Sequence, residues 1–385
     1  MIRYLTAGES HGKGLVALLE GIPANLELVP ADIDVELARR QMGYGRGGRM
    51  KIETDRVEIL SGVRKGRTLG GPIALFVKNA DYENWKKFMS PEPGGLPGNP
   101  LRRPRPGHAD LAGGMKYAQR DLRNILERAS ARETTVRVAA GAVAKKFLGV
   151  FGIRVQSHVA QLGSVVAPAP RTLPLDLNLK ADRSPVRMLH TPSERKAVAL
   201  IDRASKAGDT LGGVFEVAVT GVPSGLGSHV QWDRKLDGRL AQALMSIQAV
   251  KGVEFGRAFE NAGRPGSQVH DEIDWKPGKG YGRLTNRAGG CEGGMSNGET
   301  ILLRVAKKPI STLKKALRSV DIDSKEPMRA GYERSYVCAL PAAAVIGEAV
   351  CAWTLADALL EKTGGDHLAE IRQRWAALLK EQARF

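Results

Sequence analysis

Two histidines lie in segments that would let a ligand approach them. His11 lies within GESHGKG at residues 8–14, where the flanking glycines leave the backbone uncovered. His108 lies within PGHADL at residues 106–111, just after an arginine-rich stretch and just before a helical pattern. Because an imidazole gains or loses its proton near neutral pH, either histidine could act as a general acid or base. On the local pattern the alternative, a structural histidine or an exposed capping segment, stays open.

Arginines beside flexible backbone are the second set of residues that could do chemistry. Arg40, Arg46 and Arg49 surround GYGRGG at residues 43–48, and guanidinium groups there suit a phosphate or carboxylate through paired hydrogen bonds. GYGRGG has the spacing of a dinucleotide fingerprint, but it follows a helical pattern and precedes a strand, the reverse of what that fold needs. GESHGKG is one residue shorter than a P-loop and lacks Ser or Thr after Lys13, so a P-loop is rejected.

The segment RASARET, residues 128–134, combines a capping signal with cations. Ser130-x-x-Glu133 has the spacing of a capping box, which predicts the start of a helix. Arg128 and Arg132 lie beside that start, where uncapped N–H groups carry partial positive charge. A well-capped helix and an anion site are both compatible with this pattern.

The elements that must position these residues mix helix and strand. Hydrophobic periodicity predicts helices at 31–41, 110–127, 131–149, 233–248, 341–361 and 367–383, and strands at 50–62, 71–78, 211–220 and 299–307. The order lacks regular strand–helix–strand alternation and therefore favours an α+β fold. A loop rich in Pro, Gly and Arg covers about residues 79–107, and a loop that long is usually a lid, a binding loop or a disordered segment. No linker is visible, so we expect a single domain over residues 1–385.

Composition restricts the class of protein. The chain has 58 Lys and Arg against 41 Asp and Glu, a formal charge of +17, which predicts an anionic partner. A nucleic-acid-binding protein would share that charge, but aromatic residues are only 5% and no stacking, zinc-finger or RNP pattern is present. Nucleic acid therefore remains a remote alternative.

Cysteine usage and hydropathy indicate the compartment. Cys291, Cys338 and Cys351 form no CxxC pair, so neither a disulfide framework nor a metal site is expected. No apolar run reaches about 18 residues, and the first residues lack the apolar region of a signal peptide. These features predict a cytoplasmic protein that does not associate with a membrane.

An ordered series of motifs across nearly the whole chain resembles chorismate synthase. The series comprises GESHG from residue 8, RRQMGYGRGGRMKIETD from 39, RPGHADLAGGMKY from 105, ERASARETTVRVAAGAVAKK from 127, LMSIQAVKGVEFG from 244, GSQVHDEI from 266, NRAGGCEGGMSNGE from 286, KPISTL from 308 and ERSYVCALPAAAVIGEA from 333. Several of these segments are highly specific, and their common order excludes chance agreement.

The resemblance implies a fold, a reaction and a set of partners. The fold is a β-α-β sandwich, with a helical layer between two antiparallel sheets, assembled as a homotetramer. The reaction is the 1,4-anti elimination of phosphate from 5-enolpyruvylshikimate 3-phosphate to give chorismate, the last step of the shikimate pathway. It requires reduced FMN, and either NADPH or an external flavin reductase would reduce the flavin. A doubly anionic cofactor and a substrate with phosphate and carboxylate groups account for the basic composition.

The resemblance also assigns roles to single residues. His11 is expected to protonate the flavin, and His108 to protonate the departing phosphate. Arg40 and Arg46 match positions that bind NADP or substrate, while Arg49 and Arg132 are expected to clamp phosphate or carboxylate. Flavin contacts are expected from Arg128, Ala129, Ser130, Gln248, Ala249, Gly293, Lys308, Pro309, Ile310, Ser311, Thr312 and Arg334.

One catalytic position departs from the family pattern. The family has an aspartate two residues after the last arginine, where this chain reads Arg334-Ser335-Tyr336. That aspartate is thought to help the flavin remove the substrate's C6 proton. A phenol has an ordinary pKa of about 10, so a neutral Tyr336 would be a poor base, although it can donate a hydrogen bond. The alternative function is therefore an impaired homologue that binds FMN and substrate.

Overall fold

The computed structural model describes residues 2–46, 54–93, 100–278, 280–332 and 336–385. Its helices are α1 Pro30–Gln41, α2 Tyr82–Trp85, α3 Asp110–Lys116, α4 Arg123–Ala129, α5 Thr134–Gly149, α6 Leu177–Asp182, α7 Thr191–Lys206, α8 Leu236–Met245, α9 Ala258–Asn261, α10 Leu340–Thr363 and α11 Leu368–Gln382. Its strands are β1 Arg3–Ala7, β2 Gly14–Glu20, β3 Val57–Ile59, β4 Val63–Arg64, β5 Arg67–Thr68, β6 Ile73–Lys78, β7 Arg154–Leu162, β8 Val165–Val166, β9 Gly213–Thr220, β10 Val250–Phe255, β11 Ile273–Lys276, β12 Gly280–Arg283, β13 Cys291–Glu292, β14 Met295–Ser296, β15 Ile301–Lys307, β16 Arg318–Val320 and β17 Pro327–Arg329.

Two antiparallel sheets form the outer layers. The first has the strand order β1-β2-β6-β3, and the second has the order β10-β15-β9-β7-β8. Along β2 every second side chain is buried, so one face of the first sheet points into the core. The remaining pairs of strands are two-stranded hairpins between the main elements.

A helical layer separates the two sheets. Helix α5 contacts β2 and β6 of the first sheet, whereas α10 contacts β7 and β9 of the second. The two helices pack along each other, and α1 contacts both. Buried apolar residues from both sheets and these helices form one continuous cluster. The predicted α+β sandwich, with helices between two antiparallel sheets, is therefore confirmed.

Helix α10 is the centre of this layer. Its 24 residues are long and apolar enough to cross a membrane, and 94% of its most apolar window is buried inside the protein. Contact with both α5 and the second sheet accounts for that apolar surface. Gly141 of α5 lets the helices approach closely, because a Cβ there would lie 2.3 Å from the Cβ of Ala349.

Most predicted elements are present, but one predicted helix is wrong. Residues 110–127 form two helices, α3 and α4, rather than one. Ala118 adopts a φ of 53° between them, so the chain reverses there. The helices pack at a glycine pair: a Cβ on Gly113 would lie 2.4 Å from Ile125, and a Cβ on Gly114 would lie 2.6 Å from Leu122. Of the strand predicted at 50–62, residues 57–59 are a strand and residues 50–53 lie outside the described chain.

The three cysteines are free and buried. Burial raises the pKa of the Cys291 thiol to about 12 and that of Cys338 above its usual range. They therefore pack as small apolar side chains, as predicted from the absence of a disulfide pattern.

Candidate functional site

His11 lies in the loop that joins β1 to β2, beside the end of α4. Its Nδ1 is 2.8 Å from Oε1 of Glu127, and its backbone N–H donates to Oε2 of the same carboxylate at 2.7 Å. Glu127 is 4% exposed, so a buried carboxylate holds both the ring and the backbone of His11. Because GESHGKG joins two antiparallel strands, it does not lead from a strand into a helix as a P-loop does.

The long loop covers the ring of His11. Trp85, in the short helix α2, stacks on the imidazole with ring centroids 4.2 Å apart and planes 30° apart. On Trp85 lies the guanidinium of Arg123, 5.0 Å from the ring centroid. The segment predicted as a binding loop at residues 79–107 therefore contributes a side chain directly to the site; residues 94–99 of it lie outside the described chain.

The capping box at Ser130 is only half formed. The Ser130 side chain accepts from the backbone N–H of Arg132 at 3.3 Å, as a cap should. Glu133 does not return to Ser130, because its carboxylate accepts from Thr6 at 2.9 Å and from the amide of Gln248 at 3.2 Å. The predicted box is therefore wrong in its second half, and Glu133 instead joins the 128–130 segment to the predicted flavin residue Gln248.

The predicted anion-binding arginines converge from three segments. Asp55 accepts from Nη1 of Arg40 at 3.2 Å and from Nη1 of Arg132 at 2.6 Å. Nη1 of Arg46 donates to the backbone oxygen of Arg40, and Nε of Arg132 donates to Asn79 at 2.8 Å. Burial, together with the repulsion from Arg132 and Arg46, outweighs Asp55 and lowers the pKa of Arg40 to about 10. An anion bound beside these buried guanidinium groups would offset their mutual repulsion.

Tyr336 lies on the same cluster. The guanidinium of Arg46 is 5.0 Å from the centroid of the Tyr336 ring. Both residues line a cavity of about 400 Å³, together with Tyr44, Thr312 and Tyr332. The position where the family carries an aspartate thus faces the predicted substrate arginines, as a base for the substrate would have to.

His108 is linked to this cavity through Arg105, which lies against the imidazole and donates to the lining residue Thr312. Its Nδ1 is 2.5 Å from Oδ1 of the fully buried Asp110. Arg105 donates to both oxygens of Asp110 and, through Nη1, to Oγ1 of Thr312 at 3.0 Å. Through Thr312 the second histidine is connected to the predicted flavin segment.

The predicted flavin residues form two groups in one chain. The backbone N–H of Lys308 donates to the oxygen of Ala249 at 2.9 Å, which brings residues 308–312 beside Gln248 and Ala249. Lys308 also donates through Nζ to the oxygen of Gly107 at 2.8 Å, next to His108. On the other side, Arg128 donates to Thr6, and Ser130 Oγ lies 3.1 Å from Ser10 Oγ, beside His11.

Within one chain, Gly293 lies away from the predicted flavin residues Gln248 and Ala249. It lies in the β13–β14 turn, and the neighbouring Gly294 accepts from the first residue of α8, Leu236, at 2.8 Å. Ala249 follows the opposite end of α8, whose ten residues span about 15 Å. Arg49 and Arg334 lie outside the described residues.

Three carboxylates of the site were missed by sequence reasoning. Glu127, Asp55 and Asp110 are 4%, 3% and 0% exposed, and each holds a histidine or an arginine of the site. The signal for Asp110 was its position two residues after His108, and for Glu127 its position inside the capping motif's segment. Asp55 had no local signal, because its partners Arg40 and Arg132 are distant in the sequence.

Comparisons with known proteins agree over the whole chain. The family model described as chorismate synthase matches residues 2–360. The chorismate synthase of Aquifex aeolicus is 59% identical over 97% of this chain and 96% of its own, and that of Symbiobacterium thermophilum is 57% identical over 100% of both. A crystal structure of a chorismate synthase is similar with a TM-score of 0.82 at 48% identity, covering 100% of this chain and 99% of that one. These matches favour neither an impaired homologue nor a nucleic-acid-binding protein. The chain therefore belongs to the chorismate synthase family, the lyases of the shikimate pathway that act on 5-enolpyruvylshikimate 3-phosphate and require a reduced flavin.

Proposed function

We propose that this chain performs the 1,4-anti elimination with FMN as its flavin, in the cleft between His11, His108 and the arginine cluster. The observation that carries the proposal is the convergence of Arg40 and Arg132 on Asp55, with Arg46 bonded to the backbone of Arg40. A substrate with one phosphate and two carboxylates relieves the repulsion among these guanidinium groups when it binds. Arg49 and Arg334 are proposed as further anion contacts by resemblance alone.

The chain's own residues fit a flavin beside this cluster. Oε1 of Gln248 is buried and accepts no hydrogen bond from the described residues, so it offers an acceptor to a ring N–H. The backbone of Ala249 and residues 308–312 lie next to it, and Lys308 supplies a cation for the cofactor's phosphate. When bound, reduced FMN supplies an electron-rich ring system, and the cofactor is not consumed overall.

Proton transfers are assigned to the two histidines. Because Nδ1 of His11 is bonded to Glu127, the proton meant for the flavin is carried on Nε2. His108 gives a proton to the phosphate as the C–O bond breaks. The C6 proton passes to the reduced flavin, when that cofactor is bound, as the carbon–carbon double bond forms. Tyr336 is placed at the side of Arg46 and orients the substrate through its hydroxyl.

Anaerobic turnover tests this assignment. Purified protein, chemically reduced FMN and 5-enolpyruvylshikimate 3-phosphate should yield chorismate and phosphate in equal amounts. His11→Gln and His108→Gln should each lower kcat by about 10²–10⁴-fold, the usual contribution of a positioned acid or base. His270→Gln is the matched control, because His270 is exposed and outside the site. Full activity in either site variant would refute the proton assignments.

We also propose a homotetramer in the cytoplasm, built from single-domain chains. Edge strand β1 and the pair Leu5 and Leu18, 69% and 44% exposed on adjacent strands, leave an apolar face on the first sheet. A partner subunit could supply Gly293, which one chain keeps away from the other flavin residues. Light scattering should give four times 41.5 kDa, and a monomer mass would overturn this.

The source of electrons is proposed to be NADPH or an external reductase. Arg40 and Arg46 are the positions that match NADP binding, and they also serve the substrate. Anaerobic bleaching of oxidised FMN by NADPH with this protein alone would assign the reductase activity to the chain. Absence of bleaching would assign it to a separate flavin reductase. Neither nucleic acid nor membrane is proposed as a partner, and DNA should not compete with flavin.

A further inference from the structure

A buried carboxylate lies directly behind His108. Asp110, the first residue of α3, is 0% exposed, and its Oδ1 is 2.5 Å from Nδ1 of the imidazole. At that distance two lone pairs would repel, so a proton must lie between the two atoms. Because the carboxylate is ionised, the proton belongs to Nδ1. The histidine side chain keeps 18% of its surface exposed.

Arg105 keeps Asp110 ionised. Its backbone N–H and Nε donate to Oδ2 at 3.1 and 2.8 Å, and its Nη2 donates to Oδ1 at 2.9 Å. Burial alone would raise the pKa of the Asp110 carboxyl, but hydrogen bonds from His108 and Arg105 outweigh it and hold that pKa well below its usual range. The carboxylate therefore stays an acceptor throughout the neutral pH range.

Two cations lie near the imidazole of His108. Nη2 of Arg105 lies 3.0 Å from Nδ1 and 3.4 Å from Nε2 of His108, and Nζ of Lys308 is bonded to the neighbouring Gly107.

We propose that Asp110 is a positioning residue that holds neutral His108 in the tautomer with its proton on Nδ1. Nε2 is then the nitrogen that takes up the second proton and gives it to the departing phosphate. Arg105 links Asp110 to the predicted flavin segment, because the same guanidinium orients Asp110 and donates to Thr312. This inference rests on the function proposed for His108. It adds that the tautomer is set by a carboxylate that does not touch the substrate.

Asp110→Asn reverses the hydrogen-bond pattern with almost no change of shape. The single amide oxygen is expected at the Oδ2 position, where two N–H groups of Arg105 point at it. The amide NH2 then faces His108 and donates to Nδ1. Neutral His108 must consequently carry its proton on Nε2. The variant therefore lacks the wild-type arrangement, in which Nδ1–H is bonded to a carboxylate while Nε2 gives a proton to the phosphate.

Nitrogen NMR of protein labelled with ¹⁵N-histidine reads the tautomer without turnover. His108 signals are assigned by their loss in His108→Gln. The wild-type protein should show protonated Nδ1 and unprotonated Nε2 in the neutral form, and Asp110→Asn should show the opposite. In turnover, Asp110→Asn should lower kcat by about 10²–10³-fold with little change in KM, and should move the alkaline limb of its pH profile to lower pH.

Asp121→Asn is the matched control for folding of this region. Asp121 bonds the same loop, through the backbone N–H groups of Leu101 and Arg123, but touches no histidine. It should leave the His108 tautomer and kcat unchanged. FMN affinity should remain within about threefold in both variants, because neither side chain is proposed to touch the cofactor.

The outcomes separate this inference from the proposed function. A neutral wild-type His108 whose single ring proton is on Nε2 overturns the inference whatever happens to the variants. A reversed tautomer in Asp110→Asn with unchanged kcat overturns it as well, since the tautomer then has no consequence. Full activity of His108→Gln overturns the proposed role of His108, while the NMR result still decides whether Asp110 sets the tautomer.

Discussion

Restoring an acid at position 336 should accelerate turnover. The Tyr336 ring lies against Arg46, 5.0 Å from its guanidinium, at the place where the family carries an aspartate. A positioned carboxylate base contributes about 10²–10⁴-fold. A tyrosine offers a phenol in place of that carboxylate, so the contribution of a carboxylate base is absent when a tyrosine holds the position. Tyr336→Asp is therefore expected to raise kcat.

The neighbouring arginine sets the size of the gain. A carboxylate about 5 Å from a guanidinium gains roughly 3 kcal/mol at an effective dielectric constant of about 20. That attraction corresponds to a carboxyl pKa lowered by about two units, which weakens it as a base. If half of the shift reaches the rate, the gain falls by roughly tenfold. We therefore expect an increase in kcat of about 10–10³-fold.

Anaerobic stopped-flow with reduced FMN and substrate measures this increase. Tyr336→Phe is the matched control, because it keeps the ring on Arg46 and removes the hydroxyl; it should not raise kcat. The affinity for FMN should change by less than about threefold in both variants. An unchanged or lower kcat in Tyr336→Asp, with FMN and substrate still bound, would show that the C6 proton leaves by a route that does not involve position 336.

Three further variants test the site and its scaffold. Glu127→Gln should lower kcat by about 10²-fold while FMN binding persists, because the carboxylate that orients His11 is lost; equal kcat would refute that role. Glu348→Gln should lower the free energy of unfolding by about 3–5 kcal/mol in urea titrations, since it removes the fully buried carboxylate that Arg39, Lys145 and Arg187 share. Burial raises the pKa of the Glu348 carboxyl, but these cations outweigh it and lower the pKa below 4.5, so the wild type should lose this stability as pH falls below about 4.5 and the variant should not. Gly141→Ala should destabilise by about 1–3 kcal/mol because its Cβ would overlap α10, whereas Gly149→Ala, with nothing within 4 Å, should be neutral or stabilising.

Local sequence patterns determined much of the architecture. The period of apolar residues placed α1, α10 and α11 and strands β6, β9 and β15 within a few residues of their observed bounds. Glycine and proline marked the turns between them. These features depend on neighbours along the chain, so one sequence suffices. The helix predicted at 110–127 failed because the reversal at Ala118 depends on packing at Gly113 and Gly114, which no local period reveals.

The ordered motifs determined the family, and with it the candidate histidines and arginines. Which charges neutralise one another was decided only by the tertiary structure. Asp55 meets Arg40 and Arg132, which lie 15 and 77 positions away, and Glu127 lies 116 positions from His11. Such pairings depend on how two sheets and the helices between them are stacked, and burial then sets their strength by removing water. For that reason the sequence could name the residues proposed to do the chemistry, whereas the fold decides which carboxylate holds each of them in place.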